Sequence, residues 1–317
     1  MSELHVILGA GQVGTVLARE LLARGKAVRQ VRRGPPAKQQ AGLEWARGDV
    51  SDLAFVEEAT RGATVLYDCV NPAYDRWLEL LPAMRRGVLH GAARSGARLI
   101  QLDNLYMYGA PDGLITEDTP FAPLSRKGEL RARLADETMA ASRRGDLRVA
   151  VVRASDFYGP EFLAATMFGP HFYERVLAGK AAYCQGDPDM PHTYSYGPDV
   201  ARAMVVLGAA GDDVLGQVWH AAAPPAESTR ATMQRFATSL GLQIRVQRVP
   251  DWMLHALGFF APVMREVAEM TYQWKKPFVL GDSKWRARFG GEPTPLDVGV
   301  DRTAEWARRR YCSEKAA

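Results

Sequence analysis

A glycine-rich turn near the start of the chain constrains the fold more than any other feature. Gly9, Gly11 and Gly14 stand in G-x-G-x-x-G spacing between a strand-like apolar run, residues 4–8, and a segment with helical apolar spacing, residues 15–24. Such glycines permit a tight turn, the approach of backbone N–H groups to a pyrophosphate, and close packing of a helix on a strand. This strand–turn–helix context predicts a dinucleotide site. The residues expected to contact the dinucleotide here are Gly9, Gly11, Gln12, Val13 and Gly14.

The hydrophobic period then keeps switching between strand-like and helix-like. Continuous apolar runs at residues 65–70, 98–102 and 149–152 are typical of buried parallel strands, with helical stretches before the second and third runs. The alternation predicts an α/β fold: a Rossmann-type, doubly wound parallel sheet with a smaller C-terminal substrate lobe.

The regular alternation ends near residue 160, and this predicts how the domains are divided. We expect residues 1–160 to form the dinucleotide-binding domain and residues 190–222 to return to it. Residues 161–189 and 223–317 are then the substrate lobe. The chain has no low-complexity linker, so the two lobes are predicted to be interleaved.

The second predicted strand ends on Arg32 and Arg33, where an acidic residue would select NAD(H) by binding the ribose hydroxyls. A pair of guanidinium groups suits a 2′-phosphate, both by charge and by its fork of donors. The sequence therefore favours NADP(H) as the cofactor and leaves NAD(H) as the alternative.

The composition argues against several other classes of protein. Lysine and arginine total 40 against 36 acidic residues, and the basic residues are scattered, so no nucleic-acid partner is expected. Three cysteines without CxxC spacing, and no secretory signal, predict a cytoplasmic protein. No run approaches the roughly 18 apolar residues of a membrane span. His171 and His192 lack companions at ligand spacing, so no metal site is expected.

Several further motifs, in order along the chain, resemble those of one family, the extended short-chain dehydrogenase/reductases, also called the NAD-dependent epimerase/dehydratase family. They are Gly48-Asp49-Val50, Cys69-Val70-Asn71, Tyr108-Gly109, Tyr158-Gly159-Pro160, Asp199-Val200-Ala201 and Asp282-Ser283-Lys284. The resemblance implies that Asp49 and Val50 contact the adenine. It also implies that Cys69, Val70 and Asn71 line the cofactor site, and that a homodimer is a common assembly.

The catalytic centre departs from the family pattern of Ser/Thr followed by Tyr-x-x-x-Lys. Aligned on Tyr108-Gly109, the serine position is Asn104, the tyrosine position is Lys127 and the lysine position is Arg131. The resemblance implies that these three side chains meet at the nicotinamide end of the cofactor. Lys127 is then expected to bind the nicotinamide ribose or to donate a proton. If the alignment fails here, the proton donor would be Tyr106, Tyr108 or Tyr158.

The resemblance also bears on the substrate. Family members that act on sugar nucleotides need an asparagine where this chain has Asp156, and a carboxylate there would repel a diphosphate. Asp156 and Tyr106 are predicted to contact the substrate. Two bulky apolar stretches, within residues 162–173 and 252–264, favour a lipophilic or aromatic molecule, although such stretches also build cores.

Three functions remain open from the sequence. The first is an NAD(P)H-dependent oxidoreductase acting on a lipophilic carbonyl or a conjugated, electron-poor ring. The second is an epimerase or isomerase that retains its cofactor, and the third is a non-catalytic, redox-sensing regulator. We expect an enzyme with an atypical active site, of the first kind.

Overall fold

The computed structural model describes residues 3–35, 40–259 and 261–312, apart from the side chains of residues 255, 262 and 263. The strands are β1 (Leu4–Leu8), β2 (Ala27–Arg32), β3 (Leu43–Arg47), β4 (Val65–Asp68), β5 (Arg98–Asp103), β6 (Leu114–Ile115), β7 (Val149–Arg153), β8 (Asp156–Tyr158), β9 (Ala182–Gln185), β10 (Pro191–His192), β11 (Tyr194–Tyr196), β12 (Gln217–His220), β13 (Glu227–Ser228), β14 (Val246–Val249) and β15 (Val279–Leu280). The helices are α1 (Gln12–Ala23), α2 (Leu53–Ala59), α3 (Trp77–Ser95), α4 (Arg126–Arg143), α5 (Pro170–Leu177), α6 (Gly197–Ala209), α7 (Thr229–Ser239), α8 (Asp251–Gly258), α9 (Pro262–Glu269), α10 (Ser283–Phe289) and α11 (Leu296–Cys312).

A seven-stranded sheet in the order β12-β7-β5-β4-β1-β2-β3 forms the centre of the molecule. Every pairing within it is parallel. The chain builds the sheet outward from β1 to β3 and then, from β4, in the opposite direction. This reversal opens a crevice at the carboxyl ends of β1 and β4, which is where ligands bind in doubly wound sheets. The predicted fold class is confirmed.

Helices cover both faces of this sheet, so its strands are apolar on both sides. On one face α1 and α6 pack Leu17 and Met204 against the sheet. On the other face α2 and α3 contribute Val56 and Val88. This double burial explains why β4 and β7, buried at every position, read as continuous apolar runs in the sequence.

A second core of largely aromatic residues lies among α5, α7 and α11. Phe168, Phe172, Tyr173 and Phe236 are all buried in it. The apolar stretch at residues 162–173, predicted to belong to the substrate lobe, therefore mainly builds cores. Its first residue, Phe162, is buried in the core of the main sheet and not in this second core. The division of the chain into two lobes stays a prediction. Among the described residues, no helix is both long and apolar enough to cross a bilayer.

The start of α1 differs from the predicted start by three residues, and packing explains the difference. The helix begins at Gln12 and so includes Gly14. A Cβ atom on Gly14 would lie 2.2 Å from the carbonyl oxygen of Gly9, so only glycine lets the helix approach the turn this closely. The sequence also missed β3, an edge strand with only one fully buried residue, because its polar residues hide the strand pattern.

We expect Gly87→Ala to destabilise the fold. Gly87 lies in α3, where a Cβ atom would be 1.6 Å from the carbonyl oxygen of Val50, so the backbone must shift. Overpacking of this kind costs about 1–3 kcal/mol, more than alanine gains from its helix propensity. Chemical denaturation followed by tryptophan fluorescence measures the loss. Arg86→Ala, at an exposed position of the same helix, is the control. Equal stability of the two variants would contradict this packing.

Candidate active site

One cavity of about 630 Å³ lies at the carboxyl ends of the central strands. The glycine turn after β1 and the end of β2 line one side of it. The segments that follow β4, β5 and β7 line the other side. The cavity thus spans the crevice at which the strand order reverses.

The glycine turn has the geometry of an anion-binding site. At Gly11 an added Cβ atom would meet nothing within 4 Å, so there is open space above the backbone. The N-terminus of α1 directly follows and has no side-chain cap, so its free N–H groups and its dipole face the cavity. Gly9, Gly11, Gln12 and Val13 line the cavity, whereas Gly14 lies behind the turn.

The Gln12 side chain contacts the loop that crosses the turn. Its Oε1 accepts hydrogen bonds from the backbone N–H groups of Leu163 and Ala164, both at 3.1 Å. Its Nε2 donates to the carbonyl oxygen of Ala164 at 3.2 Å. Gln12 therefore holds this loop at the edge of the cavity. Because its side chain is engaged by the loop, a phosphate bound at the glycine turn would contact backbone N–H groups.

The residues predicted to select the dinucleotide are mostly on the cavity surface. Arg32 and Arg33 both line it, and the Arg32 guanidinium lies 5.6 Å from the centre of the Trp45 ring. Val50 lines the cavity, but Asp49 does not. The Asp49 carboxylate accepts hydrogen bonds from the backbone and hydroxyl of Ser51, which lower its pKa.

Asn104 and Arg131 both line the opposite side of the cavity, together with Cys69, Val70 and Asn71. Asn104 Oδ1 accepts a hydrogen bond from the Tyr106 backbone N–H at 3.1 Å. This contact leaves the Asn104 amide NH₂ as a donor at the cavity wall.

Arg131 is a buried cation held on three sides. Its Nη1 donates to Asp103 at 3.1 Å, and its Nη2 donates to Asn71 Oδ1 at 3.2 Å. The guanidinium lies 4.2 Å from the centre of the Trp77 ring. Burial lowers the pKa of Arg131, and the charge of Asp103 opposes this shift. The guanidinium therefore has a fixed position at the cavity wall.

Lys127 lies elsewhere, which corrects the expected convergence of three side chains. It does not line the cavity, and its buried ammonium is ion-paired with Glu266 of α9. The ammonium also lies 4.4 Å from the centre of the Tyr74 ring, and Tyr74 does line the cavity. Positions 127 and 131 are one turn apart on α4, as the alignment requires, but the Lys127 ammonium lies against Tyr74 and Glu266 and not at the cavity surface.

Of the three phenols named as alternative proton donors, only Tyr106 lines the cavity. Burial holds its pKa well above the ordinary value. The Tyr108 hydroxyl lies between Arg153 Nη1 at 2.5 Å and His220 Nε2 at 3.1 Å. Burial lowers the pKa of His220 to about 3, so this imidazole is neutral. Tyr158 is fully buried in the second core.

Two carboxylates that line the side of the cavity opposite the glycine turn are paired with buried cations. Asp68, at the end of β4, forms an ion pair with Arg85 of α3. Asp103, at the end of β5, lies 3.1 Å from Arg131 and 3.6 Å from Arg153. These pairs fix the ends of two neighbouring strands.

Asp156, the first residue of β8, lines the cavity, and its contact with a substrate stays a prediction. Its Oδ2 lies 2.7 Å from Nε2 of the buried His192. Beside it, Ser155 Oγ and Gln273 Oε1 are buried and have no hydrogen-bond partner within the described part of the chain. Both residues line the cavity, so both can accept a hydrogen bond from a ligand.

The apolar wall of the cavity comes from residues that the sequence did not single out: Tyr74, Trp77 and Phe278. Tyr74 and Trp77 closely follow the Cys69-Val70-Asn71 motif. Their position after this motif is the one feature of the sequence that could have identified them as cavity residues. Phe278 and Gln273 arrive from the distant C-terminal part of the chain, and no sequence pattern marks them.

The described side chains of the apolar stretch at residues 252–264 do not line this wall. Trp252 is 72% exposed and Phe259 is 87% exposed, whereas Leu254 is buried away from the cavity. Phe260 and the Val263 side chain lie outside the described residues. Within the described ranges, no group of three or more histidine, cysteine or acidic residues could hold a metal ion.

The parallel sheet, the glycine turn and the cavity at the switch point define a dinucleotide-binding α/β enzyme fold. This chain belongs to the NAD dependent epimerase/dehydratase family, whose model matches residues 5–222. The resemblance found in the motifs, and with it membership of a family of enzymes, is confirmed. A search of the curated proteins finds no match.

Solved structures of low sequence identity share the fold. A dTDP-glucose 4,6-dehydratase from Bacillus anthracis, in complex with NAD, is 16% identical over 98% of each chain with a TM-score of 0.81. A dTDP-glucose 4,6-dehydratase from Streptomyces venezuelae, also with NAD bound, is 20% identical over 98% of each chain, with a TM-score of 0.77. The UDP-glucose 4-epimerase of Thermus thermophilus in complex with NAD is 20% identical over 96% of this chain and 99% of that one, with a TM-score of 0.75.

We expect Lys127→Met to act on stability. Removing the ammonium leaves the buried Glu266 carboxylate with only the exposed guanidinium groups of Arg126, at 3.2 Å, and Arg265, at 3.8 Å, as counter-ions. We expect a loss of stability that approaches, but does not exceed, the roughly 3–5 kcal/mol of a fully uncompensated buried charge. The double variant Lys127→Met/Glu266→Gln removes both charges and should recover part of this loss in a denaturation experiment. Lys276→Met, which breaks an exposed ion pair with Asp112, is the control and should cost less than about 1 kcal/mol. An unchanged stability of Lys127→Met would show that the pair is not buried in solution.

Proposed function

We propose that this protein is an NADP(H)-dependent oxidoreductase acting on the carbonyl group, or on an electron-poor conjugated ring, of a small lipophilic or aromatic molecule. One observation carries the proposal. A single cavity joins the arginine pair after β2 to an aromatic wall beside Asn104 and Arg131. A dinucleotide and an apolar substrate can therefore meet in it.

The residues on the first side fit a dinucleotide. The open backbone at Gly11 and the uncapped start of α1 suit a pyrophosphate. Arg32 and Arg33 suit a ribose 2′-phosphate, which supports NADP(H) over NAD(H). The related dehydratase and epimerase structures are complexes with NAD, which supports a nicotinamide dinucleotide as the cofactor. When bound, the nicotinamide would supply or accept hydride.

The charges on the other side favour an uncharged substrate. Asp68 and Asp103 line this side, and both are ion-paired with arginines. Among the described residues, Arg131 is the cation that lines this side, and the charge of Asp103 compensates it. A diphosphate would therefore meet the carboxylate of Asp156 without an uncompensated cation, which argues against the sugar nucleotides named for the related structures.

The polar groups on this wall can assist hydride transfer to a carbonyl carbon. The amide of Asn104 can donate a hydrogen bond to the carbonyl oxygen. The guanidinium of Arg131, which Asp103 and Asn71 hold in a fixed position at the cavity wall, can orient that oxygen by a second hydrogen bond. Tyr106, whose pKa burial raises, stays neutral and can orient the substrate.

We expect Arg32→Asp to weaken NADPH binding about 10- to 100-fold relative to NADH, the equivalent of one lost charged hydrogen bond. Titration calorimetry with both dinucleotides measures the ratio. Arg61→Asp makes the same charge change at an exposed position, 72% accessible, and should leave the ratio unchanged. If Arg32→Asp weakened both dinucleotides equally, the assignment of the 2′-phosphate would be wrong.

A screen for NADPH oxidation with apolar aldehydes, ketones, quinones and enones tests the function itself. We expect turnover with members of this set and none with UDP-glucose. Cofactor that co-purifies with the protein, combined with no net oxidation, would favour the epimerase. Reversible NADPH binding without turnover of any compound would instead favour a redox-sensing regulator.

A further inference from the structure

Asn71, which follows β4, presents a side-chain amide of fixed orientation at the cavity surface. The residue is exposed and lines the cavity. Its Oδ1 lies 3.2 Å from Nη2 of Arg131. A guanidinium nitrogen only donates, so this contact assigns the oxygen end of the amide to Arg131. The NH₂ end of the amide is left as a donor for a ligand in the cavity.

Arg131 is itself fixed, so it holds the Asn71 amide in one orientation. Its Nη1 donates to Asp103 at 3.1 Å, and its guanidinium lies 4.2 Å from the centre of the Trp77 ring. Both Arg131 and Asp103 are buried, so neither charge can leave the other without a large cost. The planar fork of the guanidinium therefore binds Asp103 with one nitrogen and Asn71 with the other.

The strand order places Asn71 between the glycine turn and Asn104. β4 lies between β1 and β5, while β2, which ends in the arginine pair, lies on the other side of β1. A Cβ atom on Gly9 would be 2.7 Å from the carbonyl oxygen of Cys69, so the segments after β1 and β4 are in contact. A dinucleotide with its adenosine at the end of β2 and its pyrophosphate at the glycine turn therefore extends its nicotinamide half over the segment after β4.

Asn71 and Asn104 stand at matching positions after two neighbouring strands. Asp68 of β4 and Gln101 of β5 are register partners, and each asparagine follows its partner residue by three positions. In both asparagines the amide oxygen is bound by a group that only donates, so both NH₂ groups are left as donors. The cavity can thus hold two adjacent groups, the nicotinamide half at Asn71 and a substrate carbonyl at Asn104.

We infer that Asn71 binds the nicotinamide half of the cofactor through its amide NH₂, and that Arg131 is the positioning residue that orients this amide. The inference rests on the proposed cofactor. The nicotinamide half has acceptor oxygens in its ribose hydroxyls and its carboxamide, and an amide N–H can donate to either. Asn71 thereby holds the part of the cofactor that the motif alignment assigned to Lys127, whose ammonium pairs with Glu266 and does not line the cavity.

Titration calorimetry with two ligands tests this contact without turnover. NADPH carries the nicotinamide half, and adenosine 2′,5′-bisphosphate lacks it. In Asn71→Asp the side chain can still accept from Arg131 but has lost its donor. The Kd for NADPH should rise about 10-fold, while the Kd for the bisphosphate stays unchanged. Asn71→Leu, which adds no charge, should show the same selective loss. Gln234→Glu makes the amide-to-carboxylate change at an exposed position of α7 and is the control.

A double-mutant cycle tests the role of Arg131. Arg131→Lys keeps a cation beside Asp103, but an ammonium lacks the planar fork that also holds Asn71. This variant should lose affinity for NADPH and keep its affinity for the bisphosphate. In the Asn71→Leu background it should cause no further loss, because the oriented amide is already absent. Losses that add would show that Arg131 contacts the cofactor itself, and would overturn its role as a positioning residue.

The binding data separate this inference from the proposed function. An Asn71→Asp variant that binds NADPH as tightly as the wild type, or that loses affinity for both ligands equally, would overturn the inference and leave the oxidoreductase in place. A wild-type protein that prefers NADH would instead contradict the proposed NADP(H) specificity. NADH and adenosine 5′-monophosphate would then give the same test of Asn71.

Discussion

The ion pair between Asp103 and Arg131 is the interaction on which the side of the cavity opposite the glycine turn depends. Both side chains are buried, so each charge is tolerable only because the other compensates it. Asp103 also lies 3.6 Å from Arg153, which donates a hydrogen bond to Tyr108. One carboxylate thereby ties together β5, β7 and α4, and it fixes Asn104, the next residue in the chain.

The same helix, α4, carries both Lys127 and Arg131, which the motif alignment predicts to stand at the positions of the family's tyrosine and lysine. Lys127 forms a buried ion pair with Glu266, which ties α4 to α9. The Lys127 ammonium is thereby held between α4 and α9, and it does not line the cavity.

Much of the fold could be predicted from the sequence, but the aromatic and C-terminal lining of the cavity could not. Residues that are close together in the sequence form the glycine turn, the buried strands and the arginine pair at the end of β2. Their patterns are therefore visible along the chain. Phe278 and Gln273 reach the cavity from the C-terminal part of the chain. Their positions result from packing between distant segments, which leaves no local signal. The aromatic stretches are visible in the sequence, but such a run of residues has the same pattern whether it builds a core or lines a substrate pocket.

By itself, the sequence determined the parallel sheet, the site of the glycine turn and the family, because backbone conformation and apolar period are local properties. Only the tertiary structure decided which polar side chains reach the cavity. The Lys127 ammonium pairs with Glu266, which lies more than 100 positions further along the chain, and Asp156 pairs with His192. Burial makes an unpaired charge so costly that the choice of partner determines where each side chain lies. That choice depends on which segments the completed fold brings together.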